Sequence, residues 1–221
     1  MTGSPSVLVV AKAPVPGRVK TRLASAVGPE ASAELAAAAL LDTLAVCRTA
    51  FGPGRCRLAL QGSLDGAVRG AELRSALAGW RIIPQRGPDL ATRLAHAHHD
   101  AGGPGGVVQI GMDTPQVTAD LLHEVVAGLA TTDAVLGPAE DGGWWVLALR
   151  DPAAAQALVG VPMSTERTGA LTAAALRDLG LAVRSAPTLR DVDTVADAEA
   201  VAAVVPGSRF AAAWSRTAAL R

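Results

Sequence analysis

The chain has 221 residues, half of them hydrophobic and 18% charged, with twenty basic and twenty acidic side chains and a formal net charge of zero. That balance excludes a disordered, solvating chain, and the 23 glycines and 14 prolines follow no collagen-like or low-complexity period. It also removes any global field for nucleic acid or an anionic membrane surface, so an anion site has to be a local concentration of cations.

The length fits one α/β domain over residues 1–221 built around one continuous core. Val7 to Ala11 is a β-branched run ending in a Pro/Gly-rich loop, the pattern of a central parallel strand buried on both faces. Glu30 to Ala50 is rich in Ala and Leu without Gly or Pro, enough for about five helical turns. Arg55 to Leu60 reads as a second strand, Ala67 to Ala78 as a short helix, Trp80 to Ile83 as a third strand, and Asp89 to Asp100 as a helix with Asp89 at its cap. The break Gly102-Gly103-Pro104-Gly105-Gly106 precedes a fourth strand, Val107 to Gly111, and a helix from about Thr118 to Ala130. Ala134 to Gly137 and Trp144 to Leu149 form a strand pair around Gly142-Gly143 that interrupts the βα alternation and predicts a mixed sheet. Helices follow at Thr168 to Leu179 and Thr194 to Val204, with a strand at Leu181 to Ser185 between them and an amphipathic stretch at Arg209 to Leu220. Alternating elements of this kind predict a three-layer α/β sandwich with a mostly parallel mixed sheet, its ligands bound beyond the carboxyl ends of the strands.

Cys47 and Cys56 have no metal-ligand spacing and read as small core residues of a protein in a reducing compartment. No eighteen apolar residues run together, so no membrane span is expected and the expected location is cytoplasmic. His96 and His99 share a helical face, but no Cys or Glu completes a zinc set with them.

Chemistry concentrates at three strand ends. The loop after the first strand carries Lys12, Arg18, Lys20 and Arg22, with Gly17 allowing close backbone approach; Lys12 and Lys20 are the only lysines of the chain. Four cations within eleven residues suit phosphate groups, because arginine offers a forked donor pair and lysine a point charge. The alternative is a solvated basic turn, and the spacing is neither a P-loop nor Gly-x-Gly-x-x-Gly. As exposed loop charges, Arg18 and Lys20 are expected to add little to stability. Gly111-Met112-Asp113-Thr114-Pro115 sets a carboxylate at the end of the fourth strand, suited to a divalent ion that also touches phosphates, or else to a helix cap. In Arg190-Asp191-Val192-Asp193-Thr194 the two carboxylates share one face of an extended segment and repel unless a cation lies between them; Asp193 or Thr194 also suits a helix cap. Between these, Glu140-Asp141-Gly142-Gly143-Trp144 offers acids, open glycines and an aromatic surface for a substrate, with Asp141 as a candidate base, and one of Trp144 and Trp145 is expected in the core.

The four motifs occur in the order seen in a bacterial family of glycosyltransferase-A-like proteins labelled as cell-wall-biogenesis glycosyltransferases, and the chain resembles that family over residues 6 to 205. The family is similar to the 2-phospholactate/phosphoenolpyruvate and molybdenum-cofactor guanylyltransferases. The resemblance implies a nucleotide-diphospho-sugar transferase (GT-A, Rossmann-like) fold with the N-terminal loop around the nucleotide phosphates and Lys20 on them; the expected nucleotide-binding residues are Lys12, Gly17, Arg18, Lys20, Arg22 and Asp89. It further implies Mg2+ or Mn2+ on Asp113, Asp191 and Asp193. Lys20, Asp113 and Asp141 would then be the catalytic set and Glu140 to Trp144 the substrate side. The loop from Lys12 to Arg22 follows the glycosyltransferase-like branch and not the guanylyltransferase loop.

The expected activity is transfer from a nucleotide-sugar to a small-molecule acceptor. The alternative is nucleotidyl transfer from a nucleoside triphosphate to a phosphorylated or carboxylated acceptor. Without a glycine-rich dinucleotide turn an oxidoreductase is disfavoured, and a non-catalytic binding domain would not need three strand-end aspartates. No nucleic-acid partner is expected, and the sequence leaves a homodimer open.

Overall fold

The computed structural model describes residues 3–103 and 105–220. Pro104, inside the predicted glycine-rich break, and the termini Met1, Thr2 and Arg221 lie outside the described residues. Seven strands, β1 (Ser6–Lys12), β2 (Cys56–Gln61), β3 (Arg81–Pro84), β4 (Val107–Ile110), β5 (Ala134–Pro138), β6 (Trp144–Leu149) and β7 (Val183–Ser185), form one sheet in the order β3-β2-β1-β4-β6-β5-β7. Every neighbouring pair is parallel except the two that β6 makes with β4 and β5. The strand pair around Gly142-Gly143 is therefore what makes the sheet mixed.

β1 is central because its run of apolar residues is buried on both faces, with Val7, Leu8 and Val9 wholly inaccessible. Val7, Val9 and Ala11 face the core shared with α2 (Pro29–Phe51) and α5 (Ala119–Gly128), while Leu8 packs toward α4 (Leu90–Asp100) on the other face. α6 (Thr168–Asp178) and a 3-10 segment, Pro152–Leu158, cover that second face beside α4. These are the three expected layers.

α2 is apolar around most of its circumference, so it must be covered on both sides. Ala36, Leu40 and Leu44 meet the sheet, and Leu35, Ala38 and Ala39 meet Phe210 and Trp214 of α8 (Arg209–Ala218), beside α7 (Val195–Val204). Besides the single turn Pro53–Arg55, two elements escape the sequence reading. The short helix α1 (Thr21–Val27) has no side-chain cap to announce it and is held by Leu23, buried against α2 and α8. The Pro152–Leu158 segment does carry a start signal, since Asp151 caps it and Pro152 occupies its first turn. Of the two remaining helical pieces, α3 (Gly70–Ala76) is shorter than predicted, and Pro53–Arg55 is one 3-10 turn.

Cys47 and Cys56 are both free and buried, and His98 is fully buried with Nδ1 3.1 Å from Gln109 Oε1. Burial holds the His98 ring down at about 4, so it is neutral near pH 7. Among the described residues no helix is long and apolar enough to cross a membrane.

The consequence for function lies at one edge of the sheet. β1 and β4 are parallel neighbours, but β2 and β3 lie on one side of β1 and the later strands on the other, which opens a crevice at their carboxyl ends. β5 ends at this edge, and the antiparallel β6 begins there.

Candidate active site

Three strand-end segments converge on that crevice. After β1 the chain runs through the Pro/Gly loop, tied back by Ala13 N–H to the Gln61 carbonyl (2.9 Å) and Val68 N–H to the Pro14 carbonyl (2.9 Å), and reaches Lys20 in a left-handed conformation (φ 48°, ψ 49°). A lysine held there is strained backbone, of the kind that persists where its surroundings fix it. After β4, Asp113 sits on a tight turn in which a Cβ at Gly111 would lie 2.7 Å from Asp113 Oδ1, so glycine leaves the space this carboxylate occupies. Asp191 and Asp193 come from the extended segment before α7. That segment pairs beside β5 through Leu189 and Ala139 and is fixed to β4's end by Val192 N–H to the Asp113 carbonyl (3.0 Å).

Asp113, Asp191 and Asp193 each present one carboxylate oxygen within 4.8 Å of the others. The Lys20 ammonium lies among them, 2.8 Å from Asp113 Oδ2 and 2.9 Å from Asp193 Oδ1, and Arg22 reaches Asp193 Oδ2 at 3.3 Å. The Lys20 side chain is only 11% exposed, which corrects the expectation of an exposed loop charge. Burial lowers its hold on the proton, but Asp113 and Asp193 outweigh burial and keep the ammonium above its ordinary range. Asp191 has the opposite fate. Burial first, and then the charges of Asp141, Asp113 and Asp193, raise its carboxyl to about 6, with Lys20 opposing. An all-oxygen donor set of three carboxylates fits a hard divalent cation such as Mg2+ or Mn2+, and two of the three, Asp113 and Asp193, already hold the Lys20 ammonium.

The crevice is a cleft of about 500 Å³. Lys12, Lys20, Arg22, Asp113, Asp141, Gly143, Trp144, Asp191 and Asp193 line it, so most of the anticipated residues share one space. The others do not. Asp89 uses its carboxylate to cap α4, accepting from Thr92 N–H at 2.8 Å, and is not part of the wall. Gly17 and Arg18 are exposed on the loop outside the wall. Glu140 is bound at 2.7 Å by Arg190 Nε, an ion pair that braces the Asp191–Asp193 segment from outside the cleft. Gly142 leaves room for backbone, not substrate: its φ is +87°, and a Cβ there would strike the Glu166 carbonyl.

Trp145 is the core tryptophan, 2% exposed, its Nε1–H donated to the Pro187 carbonyl at 2.9 Å, whereas Trp144 is half-buried and faces the cleft. Asp141 Oδ1 accepts from Gly143 N–H at 2.8 Å, which leaves Oδ2 for a substrate. Sequence reasoning missed Gln61, Gln85, Met163, Ser164 and Thr165, which also line the cleft. Gln85 is fixed by donating to the Ala11 and Ala59 carbonyls, and Ser164 has a positive φ of 59°. Gln61 and Gln85 could have been found from their places at strand ends; the Ser164 loop carries no such signal.

Comparison with known proteins places this architecture. A solved structure from Desulfovibrio desulfuricans G20, provisionally named a nucleotide-diphospho-sugar transferase, is 26% identical over 99% of this chain and 97% of its own, with a TM-score of 0.84. CMP:2-keto-3-deoxy-manno-octonic acid synthetase, solved with CTP, is 14% identical over 92% of this chain and 99% of its own (TM-score 0.57). Rv0371c from Mycobacterium tuberculosis H37Rv, solved with manganese, is 20% identical over 90% and 98% (TM-score 0.51). The fold is that of the nucleotide-diphospho-sugar transferases. No curated protein matches the chain. The model of a bacterial family matches residues 43–165, more than half of the chain and including β4 and Asp113, and the protein belongs to that family, described as "uncharacterized protein conserved in bacteria (DUF2064)".

Proposed function

We propose that the protein is a divalent-metal-dependent transferase acting on a nucleotide-activated donor, and that it transfers a glycosyl group from a nucleotide-sugar to a small acceptor. The observation that carries this reading is the convergence of Asp113, Asp191 and Asp193 at the crevice between β1 and β4, two of them paired with the Lys20 ammonium. The 26% identical relative named for nucleotide-diphospho-sugar transfer supports the donor class, and the manganese complex of Rv0371c supports a metal.

In this reading Asp113, Asp191 and Asp193 hold Mg2+ or Mn2+, which when bound neutralises charge on the donor diphosphate. Lys12, Lys20 and Arg22 bind the phosphate oxygens, with Arg18 on the same loop, and orient the leaving group. Trp144 gives a flat face to a sugar or acceptor ring. Asp141 Oδ2 takes the proton of an acceptor hydroxyl as its oxygen bonds the anomeric carbon, while the carbon–oxygen bond to the diphosphate breaks and nucleoside diphosphate leaves. Gly143 N–H holds the other Asp141 oxygen and so fixes its orientation.

One observation favours a second reading, nucleotidyl transfer from a nucleoside triphosphate. The CTP-bound synthetase shares the fold over nearly all of its length. Mass spectrometry of the products separates the two, since glycosyl transfer yields nucleoside diphosphate and nucleotidyl transfer yields pyrophosphate. A thermal-shift screen of nucleotide-sugars and nucleoside triphosphates, with and without Mg2+ or Mn2+, identifies the donor first. Stabilisation by no nucleotide with either metal would refute the reading. We further propose a single cytoplasmic domain over residues 1–221.

A further inference from the structure

The Lys20 ammonium and a divalent ion compete for the same oxygens. Lys20 bridges Asp113 Oδ2 and Asp193 Oδ1 at 2.8 and 2.9 Å, and an ion shared by these two carboxylates would have to sit between the same atoms. Two cations do not share that space, because each would be held against the other with little water between them; the Lys20 side chain is 11% exposed. The lysine is also poorly placed to retreat by a small rotation. Its backbone is fixed in the left-handed region at the head of α1, where its carbonyl accepts from Ala24 N–H at 2.8 Å. To release the carboxylates the side chain must swing toward the open cleft, where a donor's phosphates would lie.

We infer that Lys20 is the resident counter-ion of this site, displaced when metal binds and transferred to the donor phosphates, so that metal and donor bind cooperatively. The inference rests on the proposed metal site and adds an order to it. Without donor, metal has to break two charge-assisted hydrogen bonds and binds weakly. With donor, the phosphates receive the ammonium and the carboxylates are freed. The coupling is reciprocal, so metal tightens donor binding by the same factor. Removing the ammonium should therefore strengthen metal binding to the protein alone while weakening donor binding. A lysine that only contacts phosphate would leave metal binding to the protein alone unchanged.

The chain's two lysines make the exchange directly readable. Amine acetylation followed by mass spectrometry reports Lys20 against Lys12, which is exposed and forms no ion pair among the described residues. Saturating Mg2+ should speed Lys20 labelling at least fivefold relative to Lys12. In parallel, Mn2+ titration by electron paramagnetic resonance without nucleotide should show Lys20→Met binding at least tenfold tighter than wild type and Lys20→Arg as weakly as wild type. If Mn2+ binds wild type and Lys20→Met equally and Lys20 stays protected at saturation, the exchange is overturned and the metal site stands. If neither protein binds Mn2+, the metal site fails and the exchange falls with it. Should Lys20→Met not fold, labelling of wild-type protein, with Mn2+ binding measured on the same sample, decides alone.

Discussion

Replacing Gly142 by alanine separates two reasons for a glycine beside the site. Gly17 and Gly142 both have positive φ, +72° and +87°. An alanine at either position meets the same backbone penalty, about 1–2 kcal/mol. At Gly17 a Cβ has nothing within 4 Å, whereas at Gly142 it collides with the Glu166 carbonyl, a backbone atom that cannot rotate away. That collision adds about 1–3 kcal/mol. Gly142 also accepts at its carbonyl from Gly169 N–H at 2.8 Å, so the turn cannot shift without disturbing the start of α6. For a chain of this size about 1 kcal/mol corresponds to roughly 2–4 °C in Tm. Gly17→Ala should therefore lower Tm by roughly 2–8 °C and Gly142→Ala by more, roughly 4–20 °C, measured by thermal denaturation under one buffer condition. Gly142→Ala should also reduce turnover, because it displaces Asp141. Equal losses at the two positions would show that the Glu166 carbonyl does not confine this turn.

Four other outcomes follow from the geometry. Lys20→Met leaves Asp113 and Asp193 without their cation and should lower unfolding free energy by about 1–3 kcal/mol in urea titration, a loss that added Mn2+ restores. Asp191, raised to about 6, is about nine-tenths ionised at pH 7 and about one-tenth at pH 5, so Mn2+ affinity should fall roughly tenfold across that interval. Its sign for folding is the reverse of a salt-bridged carboxylate: stability is lost as pH rises from the ordinary carboxylate range near 4 through about 6, so Asp191→Asn should raise Tm at pH 7 while weakening Mn2+ binding by removing a ligand. Asp141→Asn should lower kcat far more than donor affinity, whereas Asp113→Asn should damage both, as separated by KM and kcat. Glu140→Ala removes the Arg190 ion pair and should weaken Mn2+ binding modestly without touching the cleft wall; unchanged binding would show that the brace is unnecessary.

The sequence made the central strand legible because Val7 to Ala11 is buried on both faces and so needs no alternation. The strand-end aspartates were legible for a related reason: short motifs after apolar runs fall at the carboxyl edge of a parallel sheet. Their convergence was not derivable from spacing alone. It depends on the segment before α7 returning beside β5 and bonding through Val192 to Asp113, a contact across 79 positions of the chain. The same limit explains Glu140 and Gly142, which look like open substrate residues in sequence and are occupied by Arg190 and the Glu166 carbonyl in three dimensions. Lys20 looked like one of four loop cations, and only its burial between two aspartates distinguishes it from Lys12. α1 was hidden because a seven-residue helix without a side-chain cap depends on Leu23 packing rather than on a local signal.

The central claim, a metal-dependent site for a nucleotide-activated donor, is tested most directly by anomalous diffraction from crystals grown with Mn2+ and a nucleotide-sugar. The account predicts one manganese peak at about 2.0–2.6 Å from oxygens of Asp113 and of Asp191 or Asp193, with the donor diphosphate beside it and the Lys20 ammonium moved onto a phosphate oxygen. A bound nucleotide with no manganese at these carboxylates, or manganese held elsewhere in the molecule, would contradict it.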